Sequence, residues 1–330
     1  MSNMNGQFGD IKLSAQISVD AEDSYIHFLA QIGVPYVYTW LRDVPDNYDK
    51  LARFKEKLAL HGITLYNIGV GGVAKSANIH LATSERDRDI ALFQDSLRVL
   101  AKVGVYATTF TWEPDEVWST GKIQIRGGAV ARYVDEHQLK TVPIGHGRVY
   151  KKDELWENFT YFMRQMMPVA EETGVRMALH PNDPPIESIA GVDCLITSFD
   201  DYRRAFKIAD SKMLGMEFCC GCWLEGGDRF GDIIAGIKEF VADNRIIITH
   251  FRNVNTILPV FNEVFIDDGY MDMFKVMKTF YEAGYDGTLI LDHMPTLDTA
   301  NITLYGGTGY AIGYIKALMN MAYRAALQKL

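Results

Sequence analysis

The 330-residue sequence has only four cysteines, Cys194, Cys219, Cys220 and Cys222, and three of them fall within four positions. That spacing excludes the disulfide framework of a small secreted fold and points to a reducing, cytoplasmic setting. No apolar stretch reaches the roughly 18–20 residues that cross a bilayer. The polar segment Met1–Asp10 carries no apolar signal region. Basic charge is also scarce, with 33 Lys plus Arg against 42 Asp plus Glu and a net charge of -9. An acidic chain without a basic run is a poor match for nucleic acid or anionic lipid. It leaves an anionic small molecule open, because local charge in a pocket can oppose the global sign. Linkers rich in Pro and Ser, low-complexity tracts and charge blocks are all missing. No G-x-G-x-x-G follows the first apolar run, which argues against a doubly wound dinucleotide-binding sheet.

What the chain does have is 48% hydrophobic residues, enough to bury a large core. Eight short apolar runs recur: Ile11–Gln16, Tyr36–Trp40, Thr64–Val70, Tyr106–Trp112, Arg176–His180, Met213–Cys219, Ile246–His250 and Thr288–Asp292. Each has the length of a buried strand, and several are rich in Ile, Val, Tyr or Thr. Amphipathic segments lie between them, at about Ala21–Gln31, Asn47–His61, Arg86–Val103, Glu154–Thr173, Ser198–Ala209, Asp232–Val241, Met271–Ala283 and Thr308–Leu327. Eight alternating strand and helix units predict an α/β fold, a parallel (β/α)8 TIM barrel occupying residues 1–330 as one domain. The long segment 113–152 after the fourth strand is expected to form a lid or rim element over the barrel mouth.

Active sites of such barrels sit where the strands end. The last four runs end on His180, Cys219, His250 and Asp292. A lone His after an apolar run is ordinarily a hydrogen-bonded core residue. Four ligand-type side chains at the same end of four consecutive strands predict a divalent-metal site, since neighbouring strand ends lie about 4.8 Å apart. A thiolate, two imidazoles and a carboxylate suit Mn²⁺, Fe²⁺, Co²⁺, Ni²⁺ or Zn²⁺ better than Mg²⁺ or Ca²⁺. Cys219 and Cys222 also form a C-x-x-C pair. A structural zinc site would want a second pair, and a redox motif would want a thioredoxin-like context.

At these residues the sequence resembles the mannonate dehydratase family of xylose-isomerase-like barrels. The strings that carry the resemblance are Glu154-Leu155-Trp156-Glu157-Asn158, Pro168-Val169-Ala170-Glu171-Glu172, His180-Pro181-Asn182-Asp183-Pro184-Pro185, Cys219 with Gly221, and His250-Phe251-Arg252-Asn253. Phe261 with Glu263, Asp272-Met273 and Asp292-His293 add to them. The resemblance implies a metal, usually Mn²⁺, on His180, Cys219, His250 and Asp292. It implies acid/base roles for His293 and a downstream tyrosine matching Tyr310, with Tyr305 nearby. The implied reaction removes water from D-mannonate to give 2-keto-3-deoxy-D-gluconate. Substrate contacts are expected from Arg252, Trp112 and Asn182. Arg252 could instead pair with Glu263 or Asp292, and Trp112 and Trp223 could pack the rim. Arg126 and His146, in the long insertion, are candidates to close over substrate.

Two strings depart from the family. Met294-Pro295 stands where typical members have Gly-Arg, and Thr108–Pro114 differs from the family's Asn-Phe-Met-Pro-Val. A metal-dependent keto-sugar isomerase or epimerase, and a non-catalytic sugar-binding barrel, are therefore the competing expectations. The expected partners are a small sugar acid and further copies of the chain, with no nucleic acid and no membrane.

Overall fold

The computed structural model describes residues 9–297 and 305–328, so most of the polar N-terminal stretch lies outside the described residues. The eight apolar runs become eight parallel strands: β1 (Lys12–Gln16), β2 (Tyr36–Leu41), β3 (Thr64–Val70), β4 (Ala107–Thr111), β5 (Arg176–His180), β6 (Leu214–Cys219), β7 (Ile246–His250) and β8 (Thr288–Ile290). They pair in the order β3-β2-β1-β8-β7-β6-β5-β4. The ring is nearly closed between β3 and β4, where the Thr108 hydroxyl donates to the Ile68 carbonyl at 2.7 Å. Just above, Thr111 N donates to the Ala74 carbonyl at 3.1 Å.

Helices follow the strands at Asp23–Gln31, Tyr48–Leu60, Arg86–Val103, Lys152–Thr173, Phe199–Ala209, Ile233–Ala242, Met273–Ala283 and Gly306–Leu327. Their ends follow local chemistry. Ser198, Asp232 and Asp272 accept from backbone N–H groups of the first turn. Gly104 (φ 77°) and Gly174 (φ 69°) take the left-handed conformation that terminates the helices before them. The buried helix faces pack outside the ring, while Ala107, Ala178, Ile248 and Ile290, with Tyr38 and Tyr66, meet inside it. Among the described residues no helix is long and apolar enough to cross a membrane.

Part of segment 113–152 is an antiparallel hairpin, Gly121–Gln124 with Val130–Asp135. It adds Val260–Asn262, from the loop after β7, as a third strand. Val130 also exchanges backbone hydrogen bonds with Thr296 beyond β8, at 2.9 and 2.7 Å. The hairpin thus holds the loops that follow the last two barrel strands.

One boundary differs from expectation. The last strand ends at Ile290, and Asp292 sits in the following loop with a φ of 56°. A left-handed backbone costs a non-glycine residue about 1–2 kcal/mol, and such strain persists where neighbouring contacts over-determine it. Here the contacts are those of the Asp292 carboxylate.

Candidate metal centre and active site

Parallel register brings the strand ends together. Thr111 pairs with His180, Cys219 with His250, and His250 with Ile290. The donor atoms of His180, Cys219 and His250 lie within 4.8 Å of one another. Asp292 adjoins two of the three, with Oδ1 3.2 Å from His250 Nδ1 and Oδ2 3.6 Å from Cys219 Sγ. His180 Nδ1 lies 2.7 Å from the Pro181 carbonyl. That contact fixes the ring and leaves Nε2 as the lone-pair nitrogen.

A further carboxylate, Glu217, stands 2.7 Å from His250 Nε2 and accepts from the Thr109 hydroxyl. Its signal was available in the sequence: Glu217 precedes Cys219 by two, so strand alternation puts both on one face. A register shift between Met216 and Glu217 adjusts that face against β7.

Behind the ligands lies a buried ionic network. Arg252 is 1% exposed, and its guanidinium reaches Asp292 (2.9 Å), Glu225 (2.6 Å), Glu263 (3.1 Å) and Asp183 (3.1 Å). Arg132, from the rim hairpin, adds contacts to Asp183 (2.7 Å), Glu263 (3.1 Å) and Glu225 (3.5 Å). Asp183, Cys222 and Glu225 have the spacing of a second ligand set, but these guanidiniums fill it. Burial and the neighbouring Asp183 charge push Glu225 upward, against the pull of Arg252 and Arg132.

The remaining groups are tuned in opposite directions. Burial alone would raise the Cys219 thiol, but hydrogen bonding with Cys222, the Arg252 charge and His180 hold it well below its usual range. Burial opposes ionisation of Asp292 too, and His250, His293 and Arg252 overcome it and hold the carboxyl well below the usual range. His250 is raised against burial by Asp292 and Glu217. The Asp183, Glu217, Glu263 and Asp292 carboxylates and the Cys219 sulfur thus face two guanidiniums and the His250 and His293 rings. A thiolate–imidazole–carboxylate donor set fits a divalent transition-metal ion.

His293 follows directly. Its side chain is 40% exposed, Nδ1 lies 2.8 Å from Glu263 Oε1, and Nε2 is 3.7 Å from Asp292 Oδ1. The Asp292 charge, and then Glu263, push it up to about 9 against the effect of burial. His180, Glu217, His250, Asp292 and His293 line one cavity, together with Gln16, Tyr38 and Lys75.

The other expected contacts fall elsewhere. Arg252 is consumed by the network and does not reach the cavity surface. Trp112 is buried behind the wall, its ring 4.4 Å from His80 and 5.1 Å from Phe159 between centroids. Trp223 is packed likewise against Phe218, Phe199 and Phe230. Asn182 is buried and holds the loop after β5, accepting from Ile196 N at 2.8 Å and donating to the Trp112 carbonyl at 3.3 Å. Tyr310 sits on the rim, where its hydroxyl donates to Asp267 and accepts from Arg126 at 3.3 Å. It does not line the cavity. Tyr305 lines an adjoining cavity that shares Gln16, Tyr38 and Asp292. Its ring packs 4.8 Å from Tyr25 and 4.9 Å from Phe28. Arg126 pairs with Asp267 at 2.8 and 3.0 Å, and His146 with Asp115 at 3.0 Å, so both serve the rim.

A nearly closed parallel barrel with a candidate metal centre at the C-terminal strand ends defines a xylose-isomerase-like TIM-barrel protein. Solved structures of that fold superpose over almost the whole chain. Mannonate dehydratase from Streptococcus suis serotype 2 gives a TM-score of 0.84 at 23% identity, covering 96% of each chain. D-psicose 3-epimerase from Clostridium cellulolyticum H10 gives 0.60 at 17% identity, covering 96% of this chain and 97% of its own. The sequence narrows the class further. The profile of the D-mannonate dehydratase (UxuA) family matches residues 137–329, and the chain belongs to that family of hydro-lyases. Mannonate dehydratase 2 of Halalkalibacterium halodurans is 28% identical over 273 residues, covering 74% of this chain and 78% of its own. The Thermotoga maritima mannonate dehydratase is 28% identical over 311 residues, covering 79% and 82%.

Proposed function

We propose that the chain dehydrates D-mannonate to 2-keto-3-deoxy-D-gluconate with a divalent ion held by His180, Cys219, His250 and Asp292. The observation that supports this is the convergence of His180, Cys219 and His250, with Asp292 against two of them and His293 exposed in the same cavity. A divalent ion held there, Mn²⁺ in the family the sequence resembles, would supply Lewis-acid positive charge beside the carbon that loses its proton.

The protein's own groups do the rest. Glu263 occupies His293 Nδ1 and so orients the ring, leaving Nε2 to move a proton at C2 or at the departing C3 hydroxyl. Tyr305, facing the adjoining cavity, is better placed than Tyr310 to serve as the second proton carrier. Arg132 and Arg252 hold the carboxylates behind the ligands and keep Asp292 and Glu263 ionised. Four buried cysteines outside any disulfide fit a reducing cytoplasm, and D-mannonate as substrate would give the chain a role in hexuronate breakdown.

Turnover of D-mannonate by Mn²⁺-loaded protein, followed as 2-keto acid, tests the proposal. Product should form with Mn²⁺ and stop after EDTA treatment. Folded, metal-replete protein that yields no 2-keto acid, or that isomerises keto sugars instead, would overturn it.

A further inference from the structure

A sugar acid brings a carboxylate into a cavity whose lining is rich in carboxylates, and besides the proposed ion a side-chain cation can engage it. The guanidiniums nearest the ligands cannot, because buried carboxylates occupy them. Among the described residues lining the cavity, Lys75 is the one lysine or arginine, and it stands apart from His293, which Glu263 and Asp292 engage. It lies in the loop after β3, across the ring from β7, which carries His250. That loop is tied down. A Cβ on Gly72 would come within 2.8 Å of the Arg42 carbonyl oxygen, so glycine permits the close approach. The bond from Thr111 N to the Ala74 carbonyl fixes the residue before Lys75 against β4.

The side chain is only partly neutralised. Lys75 Nζ stands 3.3 Å from Glu113 Oε2, a long contact, and is 31% exposed against 5% for Glu113. Glu113 is anchored from behind by the Asp183 N–H at 3.2 Å. Burial pushes its carboxyl up to about 7 in spite of Lys75, so at neutral pH it carries only part of a charge. An ammonium with three donors and one long contact to a buried carboxyl has donors left for an incoming anion.

We infer that Lys75 binds the substrate carboxylate and sets the preference of this site for sugar acids over neutral sugars, with Glu113 as its positioning residue. The inference rests on the sugar-acid function proposed above, and its test separates the two. Binding of D-mannonate and of its neutral amide, D-mannonamide, is measured on Mn²⁺-loaded wild type, Lys75→Gln and Lys75→Arg, alongside metal content. Wild type should prefer the acid. Lys75→Gln should weaken D-mannonate by about 10- to 100-fold, the range for a hydrogen bond between charged groups. It should leave the amide and the metal content unchanged, and Lys75→Arg should restore most of the affinity. Tight, Lys75-dependent binding of D-mannonate without turnover supports the inference and sinks the dehydratase function. Equal loss for both ligands in Lys75→Gln, an unchanged preference in that variant, or a wild type that does not distinguish acid from amide overturns the inference.

Discussion

His293→Asn is expected to lower D-mannonate turnover by about 10²- to 10⁴-fold, the range for loss of a positioned acid–base group. Mn²⁺ content and unfolding midpoint should stay near wild type. The geometry separates the proton carrier from the ligand set. His293 Nε2 stands 3.7 Å from Asp292, and Nδ1 is anchored on Glu263. Removing the ring leaves Glu263 paired with Arg132 and Arg252 and leaves Asp292 paired with Arg252 and His250. Kinetics on the metal-loaded variant and metal analysis of the same sample check the prediction. A rate within a few-fold of wild type would remove His293 from the chemistry. Loss of metal together with rate would make it a support for Asp292 instead.

Arg252→Met is expected to cost about 3–5 kcal/mol of stability, the penalty for removing one partner from a buried ion pair. Replacing a whole buried network with apolar residues can be neutral. Replacing one member strands the others, and here Asp183, Glu225, Glu263 and Asp292 all touch the same guanidinium. Arg132 reaches three of the four but not Asp292. A denaturant titration should show a lower midpoint at an unchanged slope. A midpoint equal to wild type would mean that the network contributes nothing to folding.

The barrel was legible because its signals are local. A buried strand is a short apolar run, a helix repeats every three to four residues, and each of the eight runs recurs as a strand within one residue at all but one end. The exception, Asp292, looks like a strand residue in Thr288–Asp292, yet the ladder stops at Ile290 and the backbone turns left-handed. Its carboxylate reaches His250 and Arg252 by that turn, which apolar patterning does not encode. The strand-end positions of His180, Cys219 and His250 were legible for the same local reason as the strands.

Long-range pairing decides what was missed. Arg132 enters the network only because the hairpin joins Val260–Asn262 and Thr296. Lys75 faces the cavity only because its loop lies on β4. Arg252 reads equally as a substrate ligand or as a partner of Glu263 or Asp292; both pairs form, and Asp183 and Glu225 from separate segments join them. Trp112 reads as a stacking platform or a packing residue, and the helix Lys152–Thr173 covers it with Phe159 and Phe162.

The central claim is that this chain builds one mixed centre from His180, Cys219, His250 and Asp292. Co²⁺ titration of metal-stripped protein tests it most directly, because a thiolate bound to Co²⁺ adds a sulfur-to-metal charge-transfer band to the absorption spectrum. The account predicts one Co²⁺ per chain with that band in wild type, and its loss in Cys219→Ser but not in Cys222→Ser. A band that survives in Cys219→Ser, or a wild type that binds Co²⁺ without it, would contradict the claim.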